Sequence, residues 1–430
     1  MIDADIYNTS EKASFDKTTE AYKKSIFYPT QGSDLNGFSD IRIRISGRDY
    51  FYHPANAYLA IKGKVCKKAA GAAYKDTDKI APINCAPLFM FSKMTFSIGG
   101  QISEQVDNPG HTCTPILHTF LSKNIASSYG LKYAWFPDSA KEADGTNKGF
   151  TARNKMILAL VTEKGSFTFI VPLSIIFGLA RDYDRLIWGY DLEVSMVRQN
   201  DYYALFKAAN VDEPKIDLKS IKLHLPIVTP STSMRIQMLE KVKNKIPITI
   251  NFRETRGMSI DIAKGLKDFN WQFSTISLPK RPKYVFVTFQ RDRRTNAEQN
   301  YALYSNENVK KMSISVNNVS FRLHEEEQAD FPNMRFTEFY QSFLDVRENL
   351  FGIDSRINAS HISPSAYRDL YPIYAFNLSQ HREEIQDQTV SSILHVTFGA
   401  ELGETIRCYV TILCDKELIL GCDGQQIVSL

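Results

Sequence analysis

The chain has 430 residues, of which 43% are hydrophobic, 12% aromatic and 23% charged. This usage is typical of globular proteins and excludes disordered, collagen-like and coiled-coil classes. Lysine and arginine number 52 against 48 acidic residues, for a net charge of +4, so a dedicated nucleic-acid binder is not indicated. One hydrophobic core serves roughly 250–300 residues, and the length therefore predicts two domains.

The chain carries no pattern typical of export or membrane insertion. Asp3 and Asp5 lie where a signal peptide has basic residues. The longest apolar run, residues 169–180, contains Pro172 and is shorter than the roughly 20 residues of a membrane-spanning helix. None of the six cysteines forms a CxxC pair, which fits a reducing compartment. We expect a soluble protein.

Strands dominate the predicted elements. Residues 1–24 are polar and are predicted to form an N-terminal arm, and the Ala/Gly/Lys-rich residues 67–80 an exposed, mobile loop. Alternation of apolar and polar residues predicts half-buried strands. The clearest of these are residues 41–45, 221–225, 246–252, 394–398 and 406–412. Residues 284–289 (YVFVTF) are nearly all apolar, which predicts a strand covered on both faces.

Two stretches have helical periodicity. Apolar residues recur at three- and four-residue steps over 117–129 and over 336–351, and the two stretches end at Gly130 and Gly352. Glycine after the last turn is the expected helix stop. The aromatic helix over 336–351 is predicted to pack against its own sheet.

A repeated segment indicates a duplication. Residues 94–100 (MTFSIGG) and 312–318 (MSISVNN) share the order Met, hydroxyl, apolar, Ser, apolar and a two-residue turn, at an offset of 218. Gly-Gly and Asn-Asn both tolerate the positive φ of a tight hairpin. The later strands over 190–197 and 393–398 repeat at an offset of about 200, which predicts a tandem duplication joined near residues 212–217.

The predicted fold is all-β, with two tandem eight-stranded jelly-roll sandwiches. We assign residues 25–212 to the first jelly roll and 213–430 to the second, each with one main helix in a connecting loop. Long connections that carry a helix favour jelly rolls over immunoglobulin-like sandwiches.

The sequence contains none of the common catalytic or cofactor-binding motifs. The phosphate-binding, zinc-hydrolase, esterase and EF-hand motifs are absent, so we predict no enzyme, no catalytic residue, no cofactor and no metal site. Cys408, Cys414 and Cys422 lack a close pair and are expected in the core. Asp182 and Asp184 alternate with Arg181 and Arg185, which favours a local salt-bridged turn over a carboxylate pair.

Two basic clusters are candidates for facing a polyanion such as packaged DNA. The alternative for each cluster is a solvated strand end or a charged edge that blocks aggregation. The candidate residues are Lys280, Arg281 and Lys283 in the first cluster, and Arg291, Arg293 and Arg294 in the second.

The segment VPLSIIFGLARDYDRLIWGY (171–190), followed by 192–198, resembles the double jelly-roll major capsid proteins, or hexons, of Polinton/Maverick elements and adintoviruses. Residues 282–290, residues 363–376 and the closing Cys414-Asp-Lys-Glu-Leu with Asp423-Gly424 add to the likeness, which covers most of 25–430. Residues 67–80 and 138–149 do not match.

This resemblance implies a non-enzymatic virion protein. In such capsids three chains form a trimer whose six sandwiches give a near-hexagonal capsomer, and capsomers tile an icosahedral shell around double-stranded DNA. The implied partners are two further copies, neighbouring capsomers, penton and minor capsid proteins, and packaged DNA. The alternatives are a β-sandwich module that recognises a glycan or a protein, and a host protein derived from an integrated capsid copy.

Overall fold

The computed structural model describes residues 18–30, 34–46, 50–69, 71–159, 163–273, 282–291, 297–317, 319–323, 328–379, 392–421 and 427–429. The strands up to the middle of the chain are β1 Thr19–Phe27, β2 Ile41–Ile45, β3 Phe51–Tyr52, β4 Tyr58–Lys67, β5 Ile80–Pro82, β6 Phe91–Ile98, β7 Gln101–Asp107, β8 Ser166–Pro172, β9 Ile187–Trp188, β10 Leu192–Arg198, β11 Leu205–Lys207 and β12 Pro214–Pro230. The helices of this half are α1 Ala86–Phe89, α2 Pro109–Phe120, α3 Lys123–Tyr129, α4 Lys148–Leu158, α5 Leu173–Ile176 and α6 Gly178–Asp182.

A further helix, α7 Thr232–Lys243, leads into the second half. Its strands are β13 Ile248–Ile262, β14 Asp268–Phe273, β15 Pro282–Arg291, β16 Val309–Val316, β17 Val319–Arg322, β18 Tyr374–Asn377, β19 Ser392–Phe398, β20 Ile406–Leu420 and β21 Ile427–Ser429. Its helices are α8 Thr337–Phe351 and α9 Pro364–Asp369.

Both halves have the strand order of a jelly roll. In the second half, one antiparallel sheet has the order β13-β20-β15-β18 and the other β14-β19-β16-β17. Counted along the chain from β13 to β20, these are strands 1-8-3-6 and 2-7-4-5, the two four-stranded sheets of a jelly roll. In the first half the same positions are taken by β1-β12-β4-β8 and β2-β10-β6-β7. The predicted pair of eight-stranded jelly rolls is confirmed.

The repeated segments form the same hairpin in each sandwich. Gly99 and Gly100, both at positive φ, join β6 to β7, and Asn317 at φ 46° follows β16 and leads to β17. A helix comes next in both halves: α2 in the first and α8 in the second. The two hairpins and the two main helices therefore occupy equivalent places, as the repeat predicts.

Of the two helices predicted to end at a glycine, one is confirmed and one is not. Gly352 ends α8 with φ 64°, as expected. The single helix predicted over 117–129 is wrong, because α2 ends at Phe120 and Leu121 is extended. Ser122 instead forms a β-bridge with Ser360 of the other half. Gly130 lies tightly against Trp135, whose carbonyl oxygen would be 2.7 Å from an added Cβ.

The sheets do not follow the predicted border between residues 212 and 213. β12 lies beyond that border, yet it pairs with β4 and β1 of the first sandwich. The correction follows from hydrogen bonding, since β12 completes the first sandwich as its eighth strand. We propose that the border lies in residues 231–247, which contain α7. Residues 19–24 of the predicted arm belong to β1, and residues 1–17 lie outside the described residues.

Residues 67–80 and 138–149 are tied to the body of the protein. The loop within 67–80 is not wholly exposed, because Tyr74 is 2% exposed and its hydroxyl donates to the carbonyl of Asp212 at 2.9 Å. At the start of 138–149, the Asp138 carboxylate accepts from Arg153 at 2.7 Å, and both side chains are buried.

Each sandwich has a linker end and a loop end. The linker end of the first sandwich is the end that holds the β6–β7 turn. The last residues of β2 and β6, Ile45 and Ile98, lie at this end and both pair with Leu192. β1 begins and β12 ends there too, where Thr19 pairs with Pro230. β13 begins at the corresponding end of the second sandwich, so α7 joins the two linker ends. The long connections that carry α2 and α8 lie at the opposite, loop end.

Candidate functional site at the seam between the sandwiches

The two sandwiches meet along one extended surface, which we call the seam. On the first sandwich it is formed by β7, α2 and α6, and on the second by β13, β15 and β20. β15 is buried along nearly its whole length, because the core of its own sandwich covers one face and α2 contacts the other. The predicted strand covered on both faces is thereby confirmed.

A buried carboxylate fastens the middle of the seam. Glu104 of β7 is fully buried, and its Oε1 accepts from the backbone nitrogens of Gly178 and Thr255, each at 2.9 Å. Its Oε2 accepts from the nitrogen of Leu179 at 3.1 Å. Thr255 belongs to β13, so this side chain joins the two sandwiches. Burial raises the pKa of Glu104 to about 7, although the three N–H donors oppose the shift.

A bidentate ion pair lies next to Glu104. Arg253 of β13 donates from Nη2 and Nε to the two carboxylate oxygens of Asp182, at 2.7 and 2.9 Å. Arg181 donates to the carbonyl of Arg253 at 2.9 Å. Burial alone would raise the pKa of Asp182, but the hydrogen bonds and charge of Arg253 and Arg181 outweigh it and lower the pKa. Such fork-to-fork pairs fix orientation as well as distance.

Two glycines allow the sandwiches to approach this closely. A Cβ on Gly178 would lie 1.7 Å from the carbonyl oxygen of Arg253, and one on Gly257 would lie 2.0 Å from Oγ1 of Thr112. Neither distance is sterically allowed, so the backbones could not pack in this way with larger residues. Gly178 lies inside the segment 171–190 that was singled out in the sequence.

A neutral histidine packs on the second sandwich. The ring of His111 stacks on Tyr409 at a centroid distance of 4.1 Å, and its Nε2 lies 3.1 Å from Oε1 of Gln290. The amide nitrogen of Gln290 already donates to two carbonyls, so Nε2 of His111 carries the donated proton. Burial lowers the pKa of His111 to about 3, and the ring is therefore uncharged at neutral pH.

A second histidine group closes the loop end of the seam. Nδ1 of His118 lies 3.0 Å from Nε2 of His361, and Nδ1 of His361 lies 2.9 Å from the carbonyl oxygen of Leu121. Because a carbonyl only accepts, Nδ1 of His361 carries a proton, and in the neutral ring Nε2 of His361 then accepts from Nδ1 of His118. Burial lowers the pKa of His361 to about 4 and that of His118 well below its ordinary value.

Further polar contacts extend the seam at both sides. Lys416 donates to the carbonyl of Ser103 at 2.7 Å, and Thr411 donates to the carbonyl of Thr112 at 3.0 Å. Asn300 donates to the buried carboxylate of Asp138 at 3.2 Å. Buried polar groups that have partners on both sides define one arrangement of the sandwiches and penalise sliding or separation. The contacts of the seam therefore hold the two sandwiches in one fixed arrangement.

The predicted turn around Asp182 is only partly correct. Arg181 does lie 3.3 Å from Asp182, as expected of a local ion pair. The main partner of Asp182 is nevertheless Arg253, and Asp184 lies apart, with its Oδ1 2.6 Å from Nε2 of His53. The sequence contained Asp182 and Glu104 but no signal for their partners, which are more than 70 positions away.

One residue of each basic cluster belongs to the part of β15 that the structure describes. Lys283 is at the linker end and Arg291 at the loop end, about 26 Å apart at 3.3 Å per residue. Lys283 lies 3.3 Å from Asp415, and Arg291 lies within 3.3 Å of Glu307 and Glu404. Lys280, Arg281, Arg293 and Arg294 lie outside the described residues. Contact with a polyanion stays a prediction.

The cysteines belong to the core. Cys408 and Cys414 are fully buried, which confirms their prediction, and burial raises the pKa of both thiols. Cys422 lies outside the described residues. The described part of the chain holds no group of three or more metal-ligating side chains.

An open cleft of about 530 Å³ lies at the loop end beside Arg291. Its carboxylates include Glu307, paired with Arg291, and Glu298, which lies 3.3 Å from Lys207 of the first sandwich. A third carboxylate, that of Glu401, lines the same cleft. No helix in the described residues is long and apolar enough to cross a membrane.

Comparisons with known proteins agree with this architecture. Residues 84–418 match the family model of the double jelly roll-like domain. No curated protein matches the chain.

Among solved structures, a chain of the Sputnik virophage structure aligns with a TM-score of 0.63 at 10% identity, over 99% of this chain and 91% of its own. The mavirus major capsid protein gives a TM-score of 0.56 at 10% identity, over 99% and 93% of the two chains. The faustovirus major capsid protein gives 0.56 at 9% identity, over 97% and 94%.

Proposed function

Since this chain belongs to the double jelly roll-like family, we propose that it is a major capsid protein whose trimers are the capsomers of an icosahedral shell around double-stranded DNA. The observation that carries the proposal is the pair of sandwiches with one topology, joined by a buried polar seam. Three copies related by a threefold axis present six sandwiches, and a ring of six similar lobes packs on a hexagonal lattice.

The seam supports this role because a capsomer has to be rigid. Domains within one chain move relative to each other by default unless their interface is large and well packed. Here Glu104, Arg253 and His111 would each lose buried hydrogen bonds if the sandwiches shifted. The angle between the two lobes of each subunit is thereby fixed before assembly begins.

The proposal includes the finer assignments that the sequence suggests. The virus group is that of the Polinton/Maverick elements and adintoviruses, the protein is non-enzymatic, and its place is the virion. Its partners are neighbouring capsomers, penton and minor capsid proteins, and the packaged genome. The support for the group is the match of the segment 171–190, whose Gly178 and Asp182 form part of the seam.

The loop end is the place where we expect subunits to contact each other. The connections that follow β7 and β17 meet there, through the bridge between Ser122 and Ser360. They carry exposed apolar side chains: Leu131 is 62% and Ile357 is 87% exposed. Exposed apolar groups on long loops are suited to burial against a neighbouring copy.

The test is the mass of the purified chain in solution, measured by light scattering coupled to size exclusion. The proposal predicts a species of three chain masses, where one chain is 49.0 kDa. A monomer that persists across salt and pH would contradict it and favour a β-sandwich binding module.

Two variants locate the contact. Leu131→Asp combined with Ile357→Asp is expected to shift the trimer toward monomer by at least tenfold in dissociation constant, since buried apolar contacts would be replaced by charge. The matched control is Ile102→Asp, because Ile102 is 59% exposed at the opposite, linker end. We expect this control to leave the dissociation constant unchanged.

A further inference from the structure

The seam joins two unlike surfaces, and the duplication gives each sandwich a copy of both. The second sandwich contributes the outer face of its β13-β20-β15-β18 sheet, and the first contributes β7 with the helix that follows it, α2. One copy of each surface is left over: the outer face of the β1-β12-β4-β8 sheet on the first sandwich, and β17 with α8 on the second. Contacts between unlike surfaces form closed rings when they repeat from copy to copy around an axis.

The remaining sheet face is open to solvent in the single chain. In the seam, β15 is buried along nearly its whole length, whereas the equivalent strand β4 alternates between buried and partly exposed residues. At the edge of the same sheet, Ile26 is 45% and Tyr28 is 58% exposed. A sheet face that carries exposed apolar and aromatic side chains is suited to burial against a partner.

The middle of this sheet face is basic. Lys62 of β4 and Lys222 of β12 lie on the outer face, because they alternate with buried residues in their strands. The pairing of β4 with β12 makes them diagonal neighbours, at roughly 7–8 Å. Lys64 adds a third positive charge. Asp217 is opposite Lys64, but its carboxylate already pairs with Lys219. A partner for this face would present negative charge.

The remaining helix carries that charge. Glu338 and Asp345 of α8 are exposed and Glu348 is half-buried, whereas Arg347, the one basic residue of the helix, is buried. The three acidic residues recur at seven- and three-residue steps and therefore lie on one side of the helix. Glu338 and Asp345 are about 10 Å apart along the helix axis at 1.5 Å per residue, which is comparable to the separation of Lys62 and Lys222.

The seam indicates where the helix lies on the sheet. Near the start of α2, the carbonyl of Thr112 accepts from the hydroxyl of Thr411 in β20. Thr411 lies nine residues from the linker end of β20, and Lys222 lies eight residues from the linker end of β12. Glu338 belongs to the first turn of α8. A contact equivalent to the seam therefore brings Glu338 close to Lys222.

We propose that α8 of one subunit packs on the outer face of the β1-β12-β4-β8 sheet of the next subunit, with Glu338 and Asp345 against Lys62 and Lys222. This interface rests on the proposed function, because its partner is a second copy of this chain in a closed ring. The same kind of contact then joins neighbouring sandwiches within each chain and between chains, so the lobes are spaced evenly around the axis.

The experiment is dissociation of the trimer on dilution, measured by light scattering. One variant reverses the sheet charges (Lys62→Glu, Lys222→Glu) and another reverses the helix charges (Glu338→Lys, Asp345→Lys). Each is expected to raise the chain concentration at half dissociation at least tenfold, because attraction between opposite charges becomes repulsion. The variant that combines all four substitutions is expected to return within about threefold of wild type.

The matched control is Lys267→Glu with Lys311→Glu, two exposed lysines at the other sheet of the second sandwich, and it should leave dissociation unchanged. A wild-type trimer that neither reversal weakens, or that the combined variant does not restore, overturns this interface and leaves the proposed function standing. A wild-type chain that stays monomeric contradicts the proposed function, and the interface with it.

A second measurement uses the wild-type chain alone and does not depend on how the variants fold. Trimers assembled from unlabelled and nitrogen-15-labelled chains are treated with a carbodiimide, which links a lysine amine to a carboxylate in contact with it. We expect Lys62 or Lys222 to be linked to Glu338 or Asp345 in peptide pairs of mixed isotope composition. Trimers in which these residues are linked only within one chain, or not at all, would rule the interface out.

Discussion

At the scale of single residues, the seam depends on glycines, which have no side chain, as well as on buried polar side chains. Gly178 permits the backbone of α6 to approach the carbonyl of Arg253, where an added Cβ would lie at 1.7 Å. Glu104 and Asp182 then accept hydrogen bonds that cross from one sandwich to the other.

Gly178→Ala is expected to lower the free energy of unfolding by about 1–3 kcal/mol, because the methyl group forces the two backbones apart. Urea unfolding monitored by tryptophan fluorescence measures this change. Gly145→Ala is the matched control, since nothing lies within 4 Å of a Cβ there, and it should stay within about 0.5 kcal/mol of wild type. Equal stability of the two variants would contradict the packing described at the seam.

Buried titratable groups make the seam sensitive to pH. The pKa of His111 is lowered to about 3 and that of His361 to about 4, so the unfolded chain takes up their protons below pH 6.5 while the folded chain does not. Their contribution to stability is full above pH 6.5 and is lost as pH falls. Glu104 acts in the opposite direction: with a pKa raised to about 7, it favours the folded state as pH falls from 7 to 4.5.

The histidines should dominate, because His118 behaves like His111 and His361. Between pH 7.5 and pH 5 each histidine is expected to cost about 2 kcal/mol, and Glu104 to offset about one of them. Urea midpoints at the two pH values measure the net loss, about 4 kcal/mol. His111→Asn should reduce that loss by about 2 kcal/mol. Stability that rises toward pH 5 would contradict this account.

At the residue scale the sequence predicted the core cysteines and a local pair between Arg181 and Asp182. It did not predict Arg253 as the main partner of Asp182, nor Thr255 as a donor to Glu104. Those partners lie 71 and 151 positions away, and periodicity carries no information on contacts between domains. An isolated glutamate in an alternating strand looks the same whether its face meets water or another sandwich.

At the scale of elements, local rules explain the parts that repeat. The two hairpins follow from turn residues that tolerate positive φ, and α8 ends at a glycine with φ 64°. The α8 helix packs as predicted against its own sheet, where Phe339 contacts Tyr374 of β18 at a centroid distance of 5.3 Å.

Gly352→Ala is expected to destabilise the chain by about 1 kcal/mol, because a residue with a Cβ is strained in the left-handed region. Gly352→Asn should cost less, since asparagine adopts this conformation more readily. Thermal unfolding of the two variants measures the difference. If alanine were tolerated as well as asparagine, the left-handed end of α8 would be contradicted.

The elements that were predicted wrongly are those decided by hydrogen bonds between residues far apart in the chain. The helix over 117–129 is interrupted because Ser122 bridges to Ser360. The border at residue 212 failed because β12 and the strands of the second sandwich share the same alternating pattern. Hydrogen bonding to β1 and β4, which the pattern does not encode, assigns β12 to the first sandwich.

At the scale of the whole molecule, one topology occurs twice and the two copies form a single rigid unit. The duplication was visible in the sequence from a seven-residue repeat and the spacing of later strands. The seam was not, because its contacts join residues far apart in the chain, such as Glu104 and Thr255. In the trimer that we propose, rigidity and duplication together would give six lobes.

The most direct test of this account is electron microscopy of the purified assembly, averaged in projection along its symmetry axis. We predict a ring of three subunits with six lobes of similar size, one for each sandwich. A three-lobed ring, or particles of a single chain, would contradict the central claim that this chain is the double-sandwich subunit of a pseudo-hexameric capsomer.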